Sequence, residues 1–502
     1  MSGFFLPDSK GSSTKPRKRP AKSSQISGFK NKKQKSKQPF KKSDYIDEDE
    51  LGSDSDIPSD KEEVVDEQEE DKDAETAQEK RLRLAKQYLA QLENEEQENK
   101  ESDAIDHDAI AHRLKQDVLE QTGRLQKKIA SQYTQPSPAA VRVLRGHQLS
   151  VTCLCVSPDD KFIFSASKDC SIIKWNIETG HKEGKILGRH KASAGSKGHK
   201  GHVLCLAVTS DGKFLASGGR DKIIHIWDPA SLCHLHTFKG HKDAVSGVAF
   251  RRGSHQLFSC SHDRTAKIWN LDEMAYVETL FGHEDSITAI DSLTRDRAVS
   301  AGGRDRSLRV WKVVEESQLV FNASGNIGSM DCVQLMNDEH MISGADNGSL
   351  SLWSVSKKKP LCTIPKAHSK PGNSSDESIP DESWITSIAT LRSTDLVASG
   401  SCDSCIKLWE CGDGFRNLKQ LFSIPMVGFV NALAFSNDGN ALIAGVGQEH
   451  KLGRWWRLNK AKNSVCVYHY KEQLRMEITT EICKFIFIVL VDNGNGILFI
   501  AE

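Results

Sequence analysis

The chain has 502 residues, of which 37% are hydrophobic, and its 68 basic and 68 acidic side chains give a formal net charge of zero. This length has room for one large domain with extensions. The 13 cysteines, an odd number with no secretory signal in the opening residues, indicate free thiols in a reducing compartment and argue against a disulfide-stabilised secreted protein.

The zero net charge hides two opposed tracts at the start of the chain. Residues 1–42 hold 13 Lys and Arg against one acid, whereas residues 43–79 hold 18 Asp and Glu against two lysines. Blocks of like charge repel each other and cannot bury a core, so we expect residues 1–73 to be disordered. Two basic clusters are typical of nuclear import signals, although a nucleic-acid-binding arm or a solvated tail has the same composition. Their residues are Lys15, Arg17, Lys18, Arg19, Lys30, Lys32, Lys33 and Lys35.

Two segments after the acidic tract predict amphipathic helices within an extension spanning residues 74–135. Both TAQEKRLRLAKQYLAQLENEEQ (76–97) and DAIAHRLKQDVLEQTGRLQKKIA (108–130) place apolar side chains at helical spacing. The two stripes consist of Leu82, Ala85, Leu89 and Leu92, and of Ile110, Leu114, Val118, Leu125 and Ile129. Either the helices pack on the rim of the domain that follows, or at least one of them docks a partner.

The remainder of the chain is built from a repeated unit. Segments such as SCSHDRTAKIWN (259–270) recur with tryptophans at positions 175, 227, 269, 311, 353, 409 and 455. In most repeats an aspartate stands six residues before the tryptophan, and a Gly-His pair lies upstream. This is the signature of WD repeats, in which each unit of about 42 residues forms one four-stranded propeller blade. Seven repeats predict an all-β, seven-bladed WD-repeat β-propeller over residues 140–465, with VRVLRG (141–146) as the outer strand of the last blade.

A serine, a histidine and an aspartate within one repeat resemble a hydrolase triad. An enzyme needs one such set, whereas this chain repeats it, so we interpret it as a structural latch and predict no catalysis and no cofactor. In the third repeat His241 would donate to Asp263 while Ser259 links to the tryptophan, because a buried carboxylate needs its lone pairs satisfied. The predicted latch residues are His147, Asp169 and Trp175; His202, Asp221 and Trp227; His241, Ser259, Asp263 and Trp269; His283, Asp305 and Trp311; and Asp403 and Trp409. Asn347 and Glu449 replace the aspartate in the fifth and seventh repeats and predict weaker latches.

Several segments depart from the regular repeat. Residues 188–201 and 367–383 are insertions, whose composition suits either functional loops or harmless surface loops. Cys402 and Cys405 form a CxxC without a clear fourth ligand, so we predict no metal site. The tail, residues 466–502, contains KFIFIVLVDNGNGILFI, which has too few consecutive apolar residues for a transmembrane helix. We expect an atypical terminus there, outside the propeller.

Several stretches are more specific than the general WD signature: RLKQDVLEQTGRLQKKIA, VRVLRGHQLSVTCL, DAVSGVAFRRGSHQL and GVGQEHKLGRWWR. Through them the sequence resembles the WD-repeat proteins specific to the U3 small nucleolar ribonucleoprotein, from about residue 74 to residue 466. The resemblance implies a protein of the nucleus and nucleolus that binds U3 small nucleolar RNA at its box B/C region, alongside a kink-turn-binding protein. It also implies contacts with other box C/D and processome proteins, and support of early ribosomal RNA precursor cleavages for the small subunit. We expect a monomer within this larger ribonucleoprotein and no membrane association.

A propeller fold alone would equally support a nuclear protein–protein adaptor, such as a ubiquitin-ligase substrate receptor or a histone reader. Charges beside the latch aspartates favour RNA, because they form a basic crescent over the first four blades that suits phosphate. Its residues are Lys168, Arg220, His262 and Arg304 before the aspartates, and Lys222, Arg264 and Arg306 after them. In the later repeats the preceding residues are Asp346, Cys402 and Gln448. The alternative is a set of surface charges that partly neutralises the latch carboxylates.

Overall fold

The structure is a computed structural model that describes residues 77–98, 111, 113–115, 117–119, 126–136, 141–188, 197–323, 327–368 and 384–470. The two basic clusters, nearly all of the acidic tract, most of both insertions and residues 471–502 lie outside the described residues. The chain divides into two compact units, Met1–Lys80 and Arg81–Glu502, and the second contains every described strand.

Seven four-stranded antiparallel sheets form the second unit, which confirms the predicted seven-bladed propeller. The first four blades contain β2 (Val151–Val156), β3 (Phe162–Ser167), β4 (Ile172–Asn176) and β5 (Lys182–Ile186); β6 (Val203–Val208), β7 (Leu215–Gly219), β8 (Ile223–Trp227) and β9 (His234–Lys239); β10 (Val245–Phe250), β11 (Gln256–Ser261), β12 (Thr265–Asn270) and β13 (Ala275–Phe281); and β14 (Ile287–Ser292), β15 (Arg297–Gly302), β16 (Ser307–Lys312) and β17 (Ser317–Asn322). The last three contain β18 (Met330–Leu335), β19 (His340–Ala345), β20 (Leu350–Ser354) and β21 (Lys357–Ile364); β22 (Ile385–Thr390), β23 (Leu396–Ser401), β24 (Cys405–Cys411) and β25 (Leu418–Pro425); and β26 (Phe429–Phe435), β27 (Ala441–Gly447), β28 (Ser464–His469) and β1 (Val141–Leu144).

The hydrophobic core lies between neighbouring blades. Phe238 of the second blade packs with Leu257 and Trp269 of the third, and Val467 of the seventh packs with Trp175 of the first. The inner strands are buried because each sheet is covered on both faces by its neighbours, which explains their apolar sequences. Each blade therefore depends on the blades beside it for its stability.

A β-bulge interrupts every inner strand, at the second residue in the first six blades and at the third residue, Asn431, in the seventh. A bulged residue is unpaired within its own sheet. In five blades its side chain donates a hydrogen bond to a carbonyl of the next inner strand: Thr152 to Val203 (2.6 Å), Ser246 to Ile287 (2.5 Å), Thr288 to Met330 (2.7 Å), Thr386 to Val430, and Asn431 to Val151 (2.9 Å). These bonds link the blades around the central channel, and the last returns from the seventh blade to the first.

The ring is closed by β1, which pairs antiparallel with β28 from Val141 opposite Tyr468 to Leu144 opposite Val465. This pairing confirms the predicted outer strand of the last blade. The predicted propeller end at residue 465 is wrong, because β28 continues to His469 and Tyr470 is still buried. The first residues of the expected tail, 466–470, therefore belong to the propeller.

The first predicted helix is present as α1 (Ala77–Glu98). Two residues of its apolar stripe are exposed, Leu82 by 59% and Leu89 by 39%, and the Tyr88 hydroxyl donates to Asp117 Oδ2 at 2.5 Å. The described positions between residues 111 and 119 are also helical. No helix among the described residues is long and apolar enough to cross a membrane.

The predicted second helix is wrong at its C-terminal end, because residues 126–136 form an extended strap across the sixth and seventh blades. Only a short 3-10 turn, Ala130–Gln132, interrupts it. Lys127 pairs in parallel with Thr394, and Asp395 Oδ1 accepts the amides of Ile129 (2.9 Å) and Ala130 (3.0 Å). These hydrogen bonds to the propeller override the helical periodicity of the sequence.

The strap also reaches the last strand of the ring. The Tyr133 hydroxyl donates to the Gly439 carbonyl at 2.5 Å, and its ring packs edge-on against Tyr470 with centroids 4.9 Å apart. Burial, assisted by the charge of Asp395, raises the pKa of Tyr133 to about 12, so this donor keeps its proton at neutral pH. The strap is thus a second closure beside the β1–β28 pairing.

We expect the Asp395→Ala variant to unfold more easily, by about 1–3 kcal/mol, because two strap amides lose their acceptor in a buried position. Asp395→Asn is the matched control, since its side-chain amide oxygen can still accept a hydrogen bond and the variant should lose less stability. Urea denaturation followed by tryptophan fluorescence measures both. Equal stability of Asp395→Ala and the wild type would contradict a stabilising role for the strap.

Candidate functional site

The latch of the third blade is a directional chain of hydrogen bonds. Trp269 Nε1 donates to Ser259 Oγ (2.8 Å), Ser259 Oγ lies 2.8 Å from His241 Nε2, and His241 Nδ1 lies 3.0 Å from Asp263 Oδ2. Since the carboxylate only accepts, the imidazole donates from Nδ1 and accepts the serine hydroxyl through Nε2. The preceding glycine favours close packing, because a Cβ on Gly240 would lie 3.1 Å from the Trp269 ring.

Asp263 is also held by the turn that carries it. Its Oδ1 accepts the amide (3.0 Å) and hydroxyl (2.6 Å) of Thr265, and its Oδ2 accepts the amide of Lys242 (2.8 Å). Between them Arg264 adopts a left-handed φ of 68°. Burial alone would raise the pKa of Asp263, but hydrogen bonds from His241, Thr265 and the Lys242 amide outweigh it and lower the pKa. The carboxylate is charged and fully engaged at neutral pH, as a structural network requires.

The same arrangement recurs in the blades on either side. The other histidine–aspartate pairs are His147–Asp169 (3.6 Å), His199–Asp221 (3.0 Å), His283–Asp305 (2.6 Å) and His368–Asp403 (2.8 Å). The indole N–H groups of Trp175, Trp227, Trp311 and Trp409 donate to Ser165, Ser217, Ser300 and Ser399 over 2.7–2.8 Å. Five blades therefore carry the latch residues, and in the first blade Ser171 Oγ bridges His147 (3.3 Å) and Asp169 (2.6 Å).

In the second blade the predicted latch histidine, His202, is wrong. The sequence GSKGHKGHV contains two Gly-His pairs, and the structure uses the first: His199 Nδ1 contacts Asp221, and its Nε2 lies 2.8 Å from Ser217 Oγ. The regular spacing of 22 residues between histidine and aspartate would have selected His199. The ligand atoms of His199, Asp221 and His225 lie within 4.8 Å of one another, as in a metal site, but the latch already occupies both nitrogens of His199.

In the sixth blade sequence reasoning missed the histidine. His368 follows an alanine instead of a glycine, and the insertion 367–383 stretches its separation from Asp403 to 35 residues. Its two nitrogens nevertheless contact Asp403 (2.8 Å) and Ser399 (2.7 Å). The insertion therefore lies inside the loop that joins the latch histidine to the inner strand and leaves the latch intact.

The seventh blade has lost its latch. Its third strand is β28, where Tyr468 stands opposite Leu442, and this is the place that tryptophan occupies in the other blades. The alignment of Trp455 with the third strand is therefore wrong: Trp455 lies between β27 and β28 and is 63% exposed. Ala444 takes the position of the latch serine, opposite Cys466. The signal available in the sequence was the segment GVGQEHKLGRWW itself, which lacks both the aspartate and the alternating apolar run that precedes the tryptophan in the regular repeats.

The connection between β27 and β28, residues 448–463, is termed the blade-7 loop. It stands where the other blades have their latch turn, on the latch face of the ring. Glu449 Oε2 lies 3.4 Å from Lys168 Nζ and 3.2 Å from Arg454 Nε, and Lys168 also donates to the Gly453 carbonyl at 3.0 Å. Lys168, only 3% exposed, is thus a buried anchor of this loop, and its predicted place in the surface crescent is wrong.

The blade-7 loop builds an aromatic cluster, the tryptophan cluster, from Trp384, Trp455 and Trp456. The ring centroids of Trp455 and Trp456 lie 6.0 and 5.2 Å from that of Trp384. His450 packs beside Trp384 and Trp455 at 5.5 and 6.0 Å, and its buried Nε2 has no hydrogen-bond partner among the described residues. Burial, followed by the charge of Lys451, lowers the pKa of His450 to about 3, so the imidazole is neutral.

Five side chains of the predicted basic crescent are exposed on the latch face: Arg220, Lys222, Arg264, Arg304 and Arg306. His262 is half-buried, and burial lowers its pKa, so it adds little positive charge at neutral pH. His202, displaced from the latch, lies near Arg220 and Arg454, whose charges join burial in lowering its pKa. The crescent and the blade-7 loop therefore meet around His202.

Comparisons with known proteins agree with this geometry. The WD domain, G-beta repeat family matches residues 139–176, 193–228, 232–270, 274–312 and 377–410, in the five blades that carry a latch histidine and aspartate. Human U3 small nucleolar RNA-interacting protein 2 is 59% identical over 395 residues, which cover 78% of this chain and 82% of that protein. The chain belongs to the family of U3 small nucleolar RNA-interacting protein 2.

More distant and structural relatives of this U3-interacting family extend the match. Ribosomal RNA-processing protein 9 of Saccharomyces cerevisiae is 27% identical over 497 residues, covering 76% of this chain and 87% of the yeast protein. A solved structure titled "Structure of U3-55K" is 57% identical, with a TM-score of 0.63, and covers 66% of this chain and 99% of that chain.

In this family member we expect Asp263→Ala to lower the free energy of unfolding by about 1–3 kcal/mol, because His241 and the turn amides lose a buried acceptor. Thermal unfolding of the variant measures the loss, and Glu273→Ala, an exposed acid of the same blade, is the control. In combination with His241→Ala the two losses should be less than additive, since both remove one network. Wild-type stability of Asp263→Ala would contradict a structural latch.

Proposed function

We propose that this protein is a non-catalytic component of the U3 small nucleolar ribonucleoprotein that binds U3 small nucleolar RNA. It recognises the box B/C region together with a kink-turn-binding protein, contacts other processome proteins, and supports early processing of the ribosomal RNA precursor for the small subunit. The names of the relatives support the role: one is a U3 small nucleolar RNA-interacting protein and another a ribosomal RNA-processing protein.

The observation that carries the proposal is the exposed tryptophan cluster beside basic side chains on one face. Folded RNA presents phosphates and, at bulges and loops, unstacked bases, which proteins bind with cations and aromatic rings respectively. Trp455 is 63% exposed and Trp456 is 36% exposed, so each offers a ring surface for a base. Arg454, next to them, has a side chain that is 66% exposed although it also contacts Glu449.

The arginines of the crescent supply the second element. Arg220, Arg264 and Arg304 are exposed on consecutive blades, so they follow the circumference of the latch face. Such a row matches the repeated phosphates of a nucleic-acid strand better than it matches a single acidic side chain. A strand that contacts this row and reaches His202 would bring its bases to the tryptophan cluster. Stacking there and phosphate pairing on the crescent together define the RNA path that we propose.

The Trp455→Ala/Trp456→Ala variant should weaken binding to a B/C-type U3 RNA loaded with its kink-turn-binding protein. We expect a loss of roughly tenfold or more, because stacking contributes about 1–3 kcal/mol per base. Fluorescence anisotropy measures the dissociation constant, and the salt dependence should stay unchanged because no charge is removed. Phe281→Ala, which removes a ring that is 71% exposed on the third blade, is the control.

The Arg220→Glu/Arg264→Glu/Arg304→Glu variant is measured in the same binding experiment. In contrast to the tryptophan variant, we expect it to change the salt dependence of binding. Loss of up to three phosphate contacts makes the salt dependence shallower, by about 0.7–0.9 in the logarithmic slope per contact. Lys357→Glu/Lys358→Glu/Lys359→Glu, an equal charge change on the exposed outer strand of the fifth blade, is the control. Unchanged affinity of both test variants at low salt would refute the latch face as the RNA site, while binding of acidic or histone peptides alone would favour an adaptor.

We also propose nuclear and nucleolar accumulation driven by the two basic clusters of residues 15–19 and 30–35. Replacing Lys15, Arg17, Lys18, Arg19, Lys30, Lys32, Lys33 and Lys35 by alanine should leave a fluorescent fusion of the full chain in the cytoplasm. A fusion with the acidic residues 43–73 neutralised is the control and should still enter the nucleus. If the alanine variant accumulates in the nucleolus as well as the wild type does, entry depends on the propeller or a bound partner.

A further inference from the structure

The face opposite the latches contains a cavity of about 500 Å³ at the mouth of the central channel. The Gly-His loops precede the inner strands, whereas this cavity is lined by the C-terminal ends of the inner strands, such as Val156, Val208 and Phe250, and by the turns that follow them. It therefore lies on the far face of the ring, away from the tryptophan cluster. Its volume falls within the range of pockets that hold small ligands.

Three arginines line this cavity, and their charges are compensated unequally. Arg251 forms an ion pair with Asp296, and its Nε donates to the Thr294 carbonyl at 3.0 Å. For the guanidinium groups of Arg252 and Arg392 the described part of the chain supplies neither a hydrogen bond nor an ion pair. Both side chains are exposed at the rim of the cavity.

Asp291 lines the same cavity, but among the described residues it forms no ion pair with either arginine. Asp291 Oδ2 accepts the Leu335 amide (2.8 Å), and Oδ1 accepts the Ser292 amide (2.9 Å), so both oxygens are occupied. Burial raises the pKa of Asp291 despite the opposing charge of Arg392. Burial and the like charge of Arg392 in turn lower the pKa of Arg252, as expected for two neighbouring cations without a shared anion.

The cavity also offers neutral donors to a ligand. Ser210 Oγ accepts the Gly253 amide at 3.0 Å, which leaves its hydroxyl hydrogen available. Gln334 Oε1 accepts the Thr390 amide at 3.0 Å, and this directs the amide oxygen to the protein and leaves the NH₂ group for other acceptors. A concave site with two unpaired guanidinium groups and neutral donors is suited to a compact oxyanion.

We propose that the far-face cavity binds a small organic phosphate, held between Arg252 and Arg392. The planar fork of each guanidinium matches two phosphate oxygens, and a phosphate carries enough charge to relieve the repulsion between the two arginines. A mouth enclosed by the turns of several blades admits one compact group but not a continuous RNA strand, which needs phosphate contacts in a row. The site is independent of the RNA contact on the latch face.

Isothermal titration of the full chain with inositol hexakisphosphate tests the proposal, with citrate as a carboxylate probe of comparable solubility. We expect saturable binding at one molecule per chain and weaker binding of citrate. The Arg252→Gln/Arg392→Gln variant should bind inositol hexakisphosphate at least about tenfold more weakly, since two charge-assisted contacts are lost. Arg416→Ala/Lys419→Ala, which removes two exposed charges outside the cavity, should leave the affinity unchanged.

A second variant keeps the test decisive if the glutamine variant folds poorly. Arg252→Lys/Arg392→Lys preserves both charges but not the fork geometry, so it should bind inositol hexakisphosphate with intermediate affinity. No saturable binding to the wild type, or equal affinity of the wild type and a folded cavity variant, would overturn the proposal. Displacement of inositol hexakisphosphate by a B/C-type U3 RNA would also overturn the proposal, because it would place the phosphate probe on the latch face.

Discussion

Ring closure is the constraint on which the rest of the structure depends. Every blade buries its two faces against its neighbours, so an open ring would expose apolar sheet faces at both ends. Closure comes from β1, in which Val143 pairs with Cys466, a residue near the other end of the propeller sequence. The Asn431 side chain adds a bond to the Val151 carbonyl across the same junction. The segment before β1 and the last strand are consequently structural parts of the domain.

The strap explains why the seventh blade tolerates the loss of its latch. In the five latched blades the latch joins the second and third strands to the loop before the inner strand. In the seventh, Ala444 and Tyr468 replace its serine and tryptophan, but β1 and Tyr133 hold the blade from outside. The long blade-7 loop therefore does not have to stabilise the blade. It is free to present exposed tryptophans, which would be costly side chains in a purely structural loop.

Where the sequence repeats strictly, it predicted the structure well. The aspartate–tryptophan spacing located the second and third strands of most blades, and recurrence separated a latch from a catalytic triad. Prediction failed where an insertion or duplication offered a false match, as with the second Gly-His pair at His202. It failed also where a local pattern was overridden by distant partners: helical periodicity continues through Ile129, yet Asp395 of the sixth blade binds that amide. Such partners are separated by 266 residues, and no local pattern encodes them.

Exposure was the least predictable property of the candidate site. Lys168 and Arg220 occupy equivalent positions before the latch aspartate, yet Lys168 is buried against Glu449 while Arg220 is exposed. The difference arises from the blade-7 loop, which covers the first blade and leaves the second open. Its spacing from Trp455 aligns Glu449 with the latch aspartates in the sequence, but in the structure its side chain reaches the neighbouring blade and binds Lys168. A substitution that looks like a weakened latch thus anchors the loop that carries the tryptophan cluster, and it links the closing blade to the face on which we place the RNA.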